Sequence, residues 1–229
     1  MIAVADIAAR LNAVRERITQ ACARAHREVT SVRLVLASKT QPPAAVAAAY
    51  AAGACEFGEN YVQEAITKRA ALAHLRDARW HMIGHLQSNK ARAAVENFDL
   101  IHTLDGMRLA SALARVRAAP PMPVLIEVNL GGEASKSGVR PGAVAALIES
   151  VRGAVEVRGL MTIPPPAENP LTTRRWFAQL RDLRDRLATA TGLALRELSM
   201  GMTEDYEAAI EEGSSIVRVG RAVFGERSR

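Results

Sequence analysis

No run of about 18 apolar residues occurs in this 229-residue sequence, which excludes an ordinary membrane-spanning helix. The start of the chain lacks a basic segment, an apolar stretch and a small-residue cleavage site, so we expect a cytoplasmic protein. Cysteine is scarce: Cys22 and Cys55 form neither a disulfide framework nor a metal-ligand spacing. Both are expected to be reduced thiols, Cys22 on a helix and Cys55 in a strand. Aromatic residues are only 4% of the chain, so Ala, Val, Leu and Ile must build the core.

Lysine is also rare. Of 30 basic residues only four are lysine, namely Lys39, Lys68, Lys90 and Lys136. Where any cation would serve, this chain uses arginine. A retained lysine points to chemistry that a permanently protonated guanidinium cannot perform, such as forming an imine. A leftover surface lysine is an adequate reading of Lys68 and stays open for the other three. The net charge of +6 and pI near 9.9 raise the question of nucleic-acid binding. Against it, the basic residues alternate with acids, as in Arg181-Asp182-Leu183-Arg184-Asp185-Arg186, a solvated helix face with i,i+4 ion pairs. No aromatic residues punctuate that pattern to stack on bases.

What is present is a regular alternation of helix and strand signals. Ile7, Leu11, Val14 and Ile18 fall at helical spacing behind a possible cap at Asp6. Arg33–Ser38 is a short apolar run of the buried-strand kind, ending at Lys39 and Thr40; Pro42 and Pro43 open a helix that Gly53 closes. Further strands are expected at Ala54–Phe57, Trp80–Ile83, Leu100–Thr103, Val124–Asn129, Val157–Met161, Glu197–Ser199 and Ile216–Val219. Eight strands separated by helical segments predict an α/β fold, a single (β/α)8 TIM barrel over residues 1–229, with a doubly wound open sheet as the runner-up. Pro164-Pro165-Pro166 reads as a stiff loop after the sixth strand.

Barrels of this kind carry their chemistry at the C-terminal ends of the strands, and often hold a phosphate between the loops after strands seven and eight. The polar residues at those ends are Ser38-Lys39-Thr40, Glu59-Asn60, His81, His85, Asn129, Thr162, Ser199 and Arg218-Val219-Gly220-Arg221. Gly220 lets backbone approach an anion, and Thr203 reads as the N-cap of a helix with Glu204 and Asp205 in its first turn. Lys39, at a partly desolvated strand end, reads as a reactive amine or as a surface lysine whose head reaches water. His26 and His74 read as solvated. No third ligand accompanies His81 and His85, which argues against zinc. Nucleophile-elbow, Walker and dinucleotide-binding motifs are all missing.

Taken in order, these segments resemble the pyridoxal phosphate homeostasis protein family. The resemblance rests on Leu36-Ala37-Ser38-Lys39-Thr40, on Phe57–Glu64 (FGENYVQE) and on Trp80–Lys90 (WHMIGHLQSNK). It continues through Glu127-Val128-Asn129 with Ser135-Lys136-Ser137-Gly138, Gly159–Pro164 (GLMTIP), Leu198–Thr203 (LSMGMT) and Val217-Arg218-Val219-Gly220. It implies the alanine-racemase N-terminal-domain fold and pyridoxal 5′-phosphate (PLP) held as an internal aldimine on Lys39. It further implies a phosphate cradle from Ser199 and the backbone of Gly220 and Arg221, with Arg218 facing the pyridine nitrogen. Asn60 and Met200 would border the cofactor, His85, Asn129 and Met161 would line the pocket, and Lys136 would be a secondary amine. Thr162 and Arg221 depart from the family's usual Ala and Thr.

An arginine at the pyridine nitrogen makes the ring a poor electron sink. The racemases also use a tyrosine base from a second domain, for which a chain ending at Arg229 leaves no room; Tyr61 and Tyr206 both read as helix residues. The expected function is therefore PLP homeostasis, meaning storage and delivery without catalysis. The expected protein is a monomer, with PLP-dependent apo-enzymes as transient acceptors and with neither nucleic acid nor membrane as partner. A racemase-like enzyme, a cofactor-free Schiff-base lyase and a nucleic-acid binder are the alternatives.

Overall fold

The computed structural model describes residues 4–117, 119–133, 136–165 and 169–225, so Ser135 and Pro166 of the segments above lie outside the described residues. The strands are β1 (Arg33–Ala37), β2 (Glu56–Glu59), β3 (Arg79–Met82), β4 (Leu100–Leu104), β5 (Pro123–Glu127), β6 (Glu156–Met161), β7 (Glu197–Ser199) and β8 (Ile216–Val219). Each pairs in parallel with the next, and β8 returns to β1, closing the barrel in sequence order. The open-sheet alternative is thereby excluded. The β1–β8 seam sets Val35 opposite Arg218 and Leu36 opposite Val219.

Between the strands run α1 (Val4–Arg24), α2 (Pro43–Ala51), α3 (Val62–Ala71), α4 (Ala91–Asn97), α5 (Met107–Val116), α6 (Val144–Val151), α7 (Pro170–Thr191) and α8 (Tyr206–Glu211), with α9 (Arg221–Phe224) after β8. Side chains alternate across each strand, so one set meets the helices and the other fills the barrel. Phe57, Trp80, Met82, Ile101 and Val217 belong to the larger outer core, together with Leu11, Val46, Leu113 and Phe177 from the helices. A small separate cluster of Val35, Leu100, Leu125, Met161 and Ile216 comes from five strands and fills the barrel interior. Among the described residues, no helix is long and apolar enough to cross a membrane.

Several local expectations need correction. Asp6 lies inside the first turn of α1 and does not cap it. Asp205, not Thr203, occupies the N-cap position of α8; its carboxylate accepts from the Met202 N–H at 2.6 Å. Cys55 precedes β2 and is exposed, whereas Cys22 is buried on α1 as expected; both thiols are free. The arginines of α7 bond to adjacent aspartates and reach across to α8, Arg174 to Glu211 and Glu212, Arg181 to Glu212. Pairing between helices ties α7 to α8, which i,i+4 pairs along one helix would not do.

Candidate functional site

Lys39 follows β1 at the C-terminal face of the barrel, in a turn closed by the Gln41 N–H donating to the Ser38 carbonyl at 3.0 Å. Its neighbour Thr40 has φ +64°, a region a β-branched residue rarely adopts. That backbone is held from below. The Thr40 N–H donates to Glu64 Oε1 at 2.5 Å, and Glu64 also accepts from Lys68 Nζ at 3.0 Å. Lys68 donates further to the Ser38 carbonyl at 2.7 Å and to Glu59 Oε1 at 2.6 Å, and the Ser38 hydroxyl meets the same Glu59 oxygen at 2.6 Å. Lys68 is 3% exposed and Glu59 is fully buried. The surface reading of Lys68 is wrong: it is a buried cation clamping the turn that carries Lys39. Burial raises the Glu59 carboxyl above the usual range, against the lowering effect of its bonds from Lys68 and Ser38.

Across the seam, Arg218 on β8 is 4% exposed. Its guanidinium donates to Ser199 Oγ at 2.5 Å and to the Thr162 carbonyl at 2.9 Å, both neutral acceptors. Among the described residues no carboxylate lies within ion-pairing distance of it, and burial pulls this arginine down to about 10, partly offset by the fields of Asp205 and Glu127. Glu127, at the end of β5, is raised chiefly by burial and has one oxygen without a hydrogen-bond partner. The end of β8 passes close to the end of β1: a Cβ at Gly220 would sit 3.1 Å from the Ala37 carbonyl oxygen. Gly220, Arg218 and Lys39 thus share one side of the barrel mouth.

The remaining expected residues are placed as follows. Asn60 follows β2 and packs on Gly84 so tightly that a Cβ there would lie 2.5 Å from the Asn60 carbonyl oxygen. Met200 is buried directly after β7, and Met161 belongs to the interior cluster. His85 is exposed, with Nδ1 3.3 Å from both Asp105 and Ser137 Oγ. The Asn129 amide donates to the Glu133 carbonyl at 2.9 Å, shaping the loop in which Lys136 pairs with Glu133 at 2.7 Å. Ser199 Oγ is engaged by Arg218 and by His102 Nδ1 at 2.8 Å, inside the barrel, and the Thr162 hydroxyl donates to the Val128 carbonyl at 2.9 Å. The Arg221 side chain turns outward to Glu204 at 3.0 Å. Tyr206 is buried beneath the guanidinium of Arg17 on α1, and Tyr61 sits exposed just before α3.

Sequence reasoning missed His102 and misplaced His81. Both lie inside the barrel, with His81 Nδ1 2.9 Å from His102 Nε2 and His81 Nε2 bonded to the Glu56 carboxylate. A signal was available: Trp80-His81-Met82 and Ile101-His102 alternate, and a polar residue between two outward apolar ones must face the interior. Among the described residues, no three His, Cys, Asp or Glu side chains are grouped to hold a metal ion.

A closed barrel with a lysine in the turn after its first strand and a buried arginine on its eighth defines a class. The family model described as alanine racemase, N-terminal domain, matches residues 9–228. Within that class the chain belongs to the pyridoxal phosphate homeostasis proteins. It is 46% identical to the protein of that name from Aquifex aeolicus over 95% of this chain and 97% of the relative. To the one from Pseudomonas aeruginosa it is 45% identical over 98% and 97%. Among solved structures, PipY of Synechococcus elongatus with PLP bound superposes at TM-score 0.83 and 40% identity, covering 96% of this chain and 100% of that one. Alanine racemase from Corynebacterium glutamicum shares the fold alone, at TM-score 0.74 and 19% identity over 98% of this chain and 62% of the racemase.

Proposed function

We propose that this protein binds PLP on Lys39 and serves as a non-catalytic intracellular store of the cofactor. The observation that carries the reading is the pairing, at one side of the mouth, of a lysine on a rigidly held turn with a buried, un-neutralised arginine. The bound group would supply an aldehyde that condenses reversibly with a primary amine. The residues fit such a ligand: Arg218 needs an electron-rich partner, and Gly220 keeps the β1–β8 seam free of a side chain. Arg218 would face the ring nitrogen. The backbone of Gly220 and Arg221 would approach the phosphate, since the Arg221 side chain is committed to Glu204. Asn60, Met200, His85, Asn129 and Met161 would bound the pocket, and Ser199 would act through Arg218 as much as on the ligand.

Storage is favoured over turnover because an arginine leaves the ring nitrogen unprotonated and so makes the ring a poorer sink for a carbanion. Tyr206 is buried beneath Arg17, and Tyr61 is exposed to solvent at the N-cap of α3. Release to an apo-enzyme then needs only an amine that reaches the mouth. The test is borohydride reduction of protein incubated with PLP, followed by peptide mass analysis. A stable pyridoxyl label on Lys39, lost in Lys39→Ala with the fold retained, is expected; no label after excess PLP would overturn the proposal.

A further inference from the structure

A line of buried hydrogen bonds crosses the barrel interior from floor to mouth. It begins at Glu56, at the start of β2, whose carboxylate bonds His81 Nε2. His81 Nδ1 meets His102 Nε2 at 2.9 Å, His102 Nδ1 meets Ser199 Oγ at 2.8 Å, and Arg218 donates to that same oxygen at 2.5 Å. His81, His102, Ser199 and Arg218 are all buried, and the Glu56 side chain retains 19% exposure at the solvent end. This column contains the pair that the site itself leaves without a role.

With both imidazoles neutral, one arrangement of protons satisfies every link. Arg218 donates to Ser199, Ser199 donates to His102 Nδ1, His102 Nε2–H donates to His81 Nδ1, and His81 Nε2–H donates to Glu56. A serine has a single proton to give, so in this state it is given downward. One further proton, taken from solvent, makes His81 an imidazolium beside the Glu56 carboxylate. His81 Nδ1–H then donates to His102 Nε2, and His102 carries its own proton on Nδ1 and donates to Ser199. Both Ser199 lone pairs are now used, and its O–H is released from the column.

The charges around the pair decide which state holds. Glu56 on β2 favours the added proton; Arg33 on β1, itself paired with Glu197 on β7 at 2.6 Å, and Arg79 on β3 oppose it. Arg218 on β8 also opposes it, and His102, from β4, is held well below its usual range by burial first and then by these neighbours. Glu127 on β5 and Asp205 temper Arg218, while β6 contributes apolar Met161. An anionic or electron-rich ligand against Arg218 cancels the opposing charge at the mouth and offers an acceptor to the released hydroxyl.

We infer that the Glu56–His81–His102–Ser199 column couples ligand binding at Arg218 to uptake of a proton by the histidine pair, so that affinity for the phosphorylated cofactor rises as pH falls. By linkage, each process favours the other equally. His81 and His102 are thus positioning residues, acting on the ligand through Ser199 and Arg218. The inference rests on the mouth being the PLP site.

The test is calorimetry of PLP binding between pH 6 and 8 in buffers of different ionisation heat, which counts protons taken up per ligand. His102→Leu removes the relay while suiting the apolar interior, and Glu56→Gln removes the floor anion but keeps both histidines. Relative to either variant, the wild-type protein should take up on the order of half a proton more per PLP bound. Its affinity should also rise more steeply toward low pH than that of the variants. Uptake unchanged in either folded variant overturns the coupling, and Glu56→Gln decides alone if His102→Leu does not fold. Wild-type protein that binds no PLP would overturn the site itself, whereas binding with unchanged uptake would overturn only the column.

Discussion

Two buried cations, Lys68 on α3 and Arg218 on β8, are treated in opposite ways. Lys68 is enclosed by two carboxylates and a carbonyl, each within 3.0 Å, and its charge is neutralised inside the protein. Among the described residues Arg218 hydrogen-bonds only a hydroxyl and a carbonyl, and its charge is left to the fields of Glu127 and Asp205, with which it forms no ion pair. The first arrangement can only hold something still. The second lacks a partner that a ligand can provide. On the proposed reading, the barrel mouth therefore contains a clamp and a receptor, distinguishable by who satisfies the charge.

The largest effect should come from breaking the clamp. Lys68→Met leaves the buried Glu59 carboxyl without its counter-charge, so unfolding free energy should fall by about 3–5 kcal/mol, measured by urea denaturation. Adding Glu59→Leu should recover much of that loss, because an apolar pair can replace a buried ion pair at little cost. If Lys68→Met proved neutral, Lys68 would not be the counter-charge that the geometry makes it.

Arg218→Met should do the reverse. Removing a buried cation with neutral partners should alter stability by only about 1 kcal/mol in either direction, since the desolvation penalty disappears with the charge. PLP affinity, read by equilibrium dialysis, should drop on the order of 100-fold. A large stability loss with intact binding would reverse the assignment of the two cations.

The strand ends that carry Lys39 and Arg218 are legible in the sequence because apolar runs lead into them, and the eightfold alternation indicates the barrel. The clamp and the column are not legible, for a physical reason. β2 reads as Glu56-Phe57-Gly58-Glu59, with half its residues charged, because Glu56 faces His81 and Glu59 faces Lys68. A strand whose charges are satisfied on both faces, Glu56 inside the barrel and Glu59 against α3, looks polar, and the apolar Ala54 before it drew the expected strand two residues early. His102 and Ser199 meet across 97 positions of sequence, a contact that only the barrel's closure creates. Lys68 was misread because nothing local distinguishes an enclosed lysine from an exposed one.

The interior histidine supplies the next effect, in stability against pH. The native state holds His102 below its usual range, chiefly through burial, so below about pH 6.5 the unfolded chain binds a proton that the native state refuses. Stability should therefore be lost as pH falls from 6.5 toward 5, by up to about 1.4 kcal/mol per pH unit. Glu56 is lowered in the native state, burial being outweighed by His81 and nearby arginines, so its own loss begins only at more acidic pH. His102→Leu should flatten the profile between pH 6.5 and 5, as followed by thermal melts. A profile of unchanged slope would mean that His102 titrates alike in both states.

The smallest effect should be at Arg221, whose position in the expected cradle is its main claim to importance. Its guanidinium is about half exposed and paired with an exposed Glu204, an arrangement contributing at most about 0.5 kcal/mol. If the phosphate is met by backbone N–H groups, Arg221→Ala should leave stability within that margin and change PLP affinity by less than about threefold. A loss comparable to that of Arg218→Met would mean that the side chain leaves Glu204 for the ligand. The mouth would then contain two receptor arginines, one buried and one exposed, and the contrast with Lys68 would no longer be one between two buried cations.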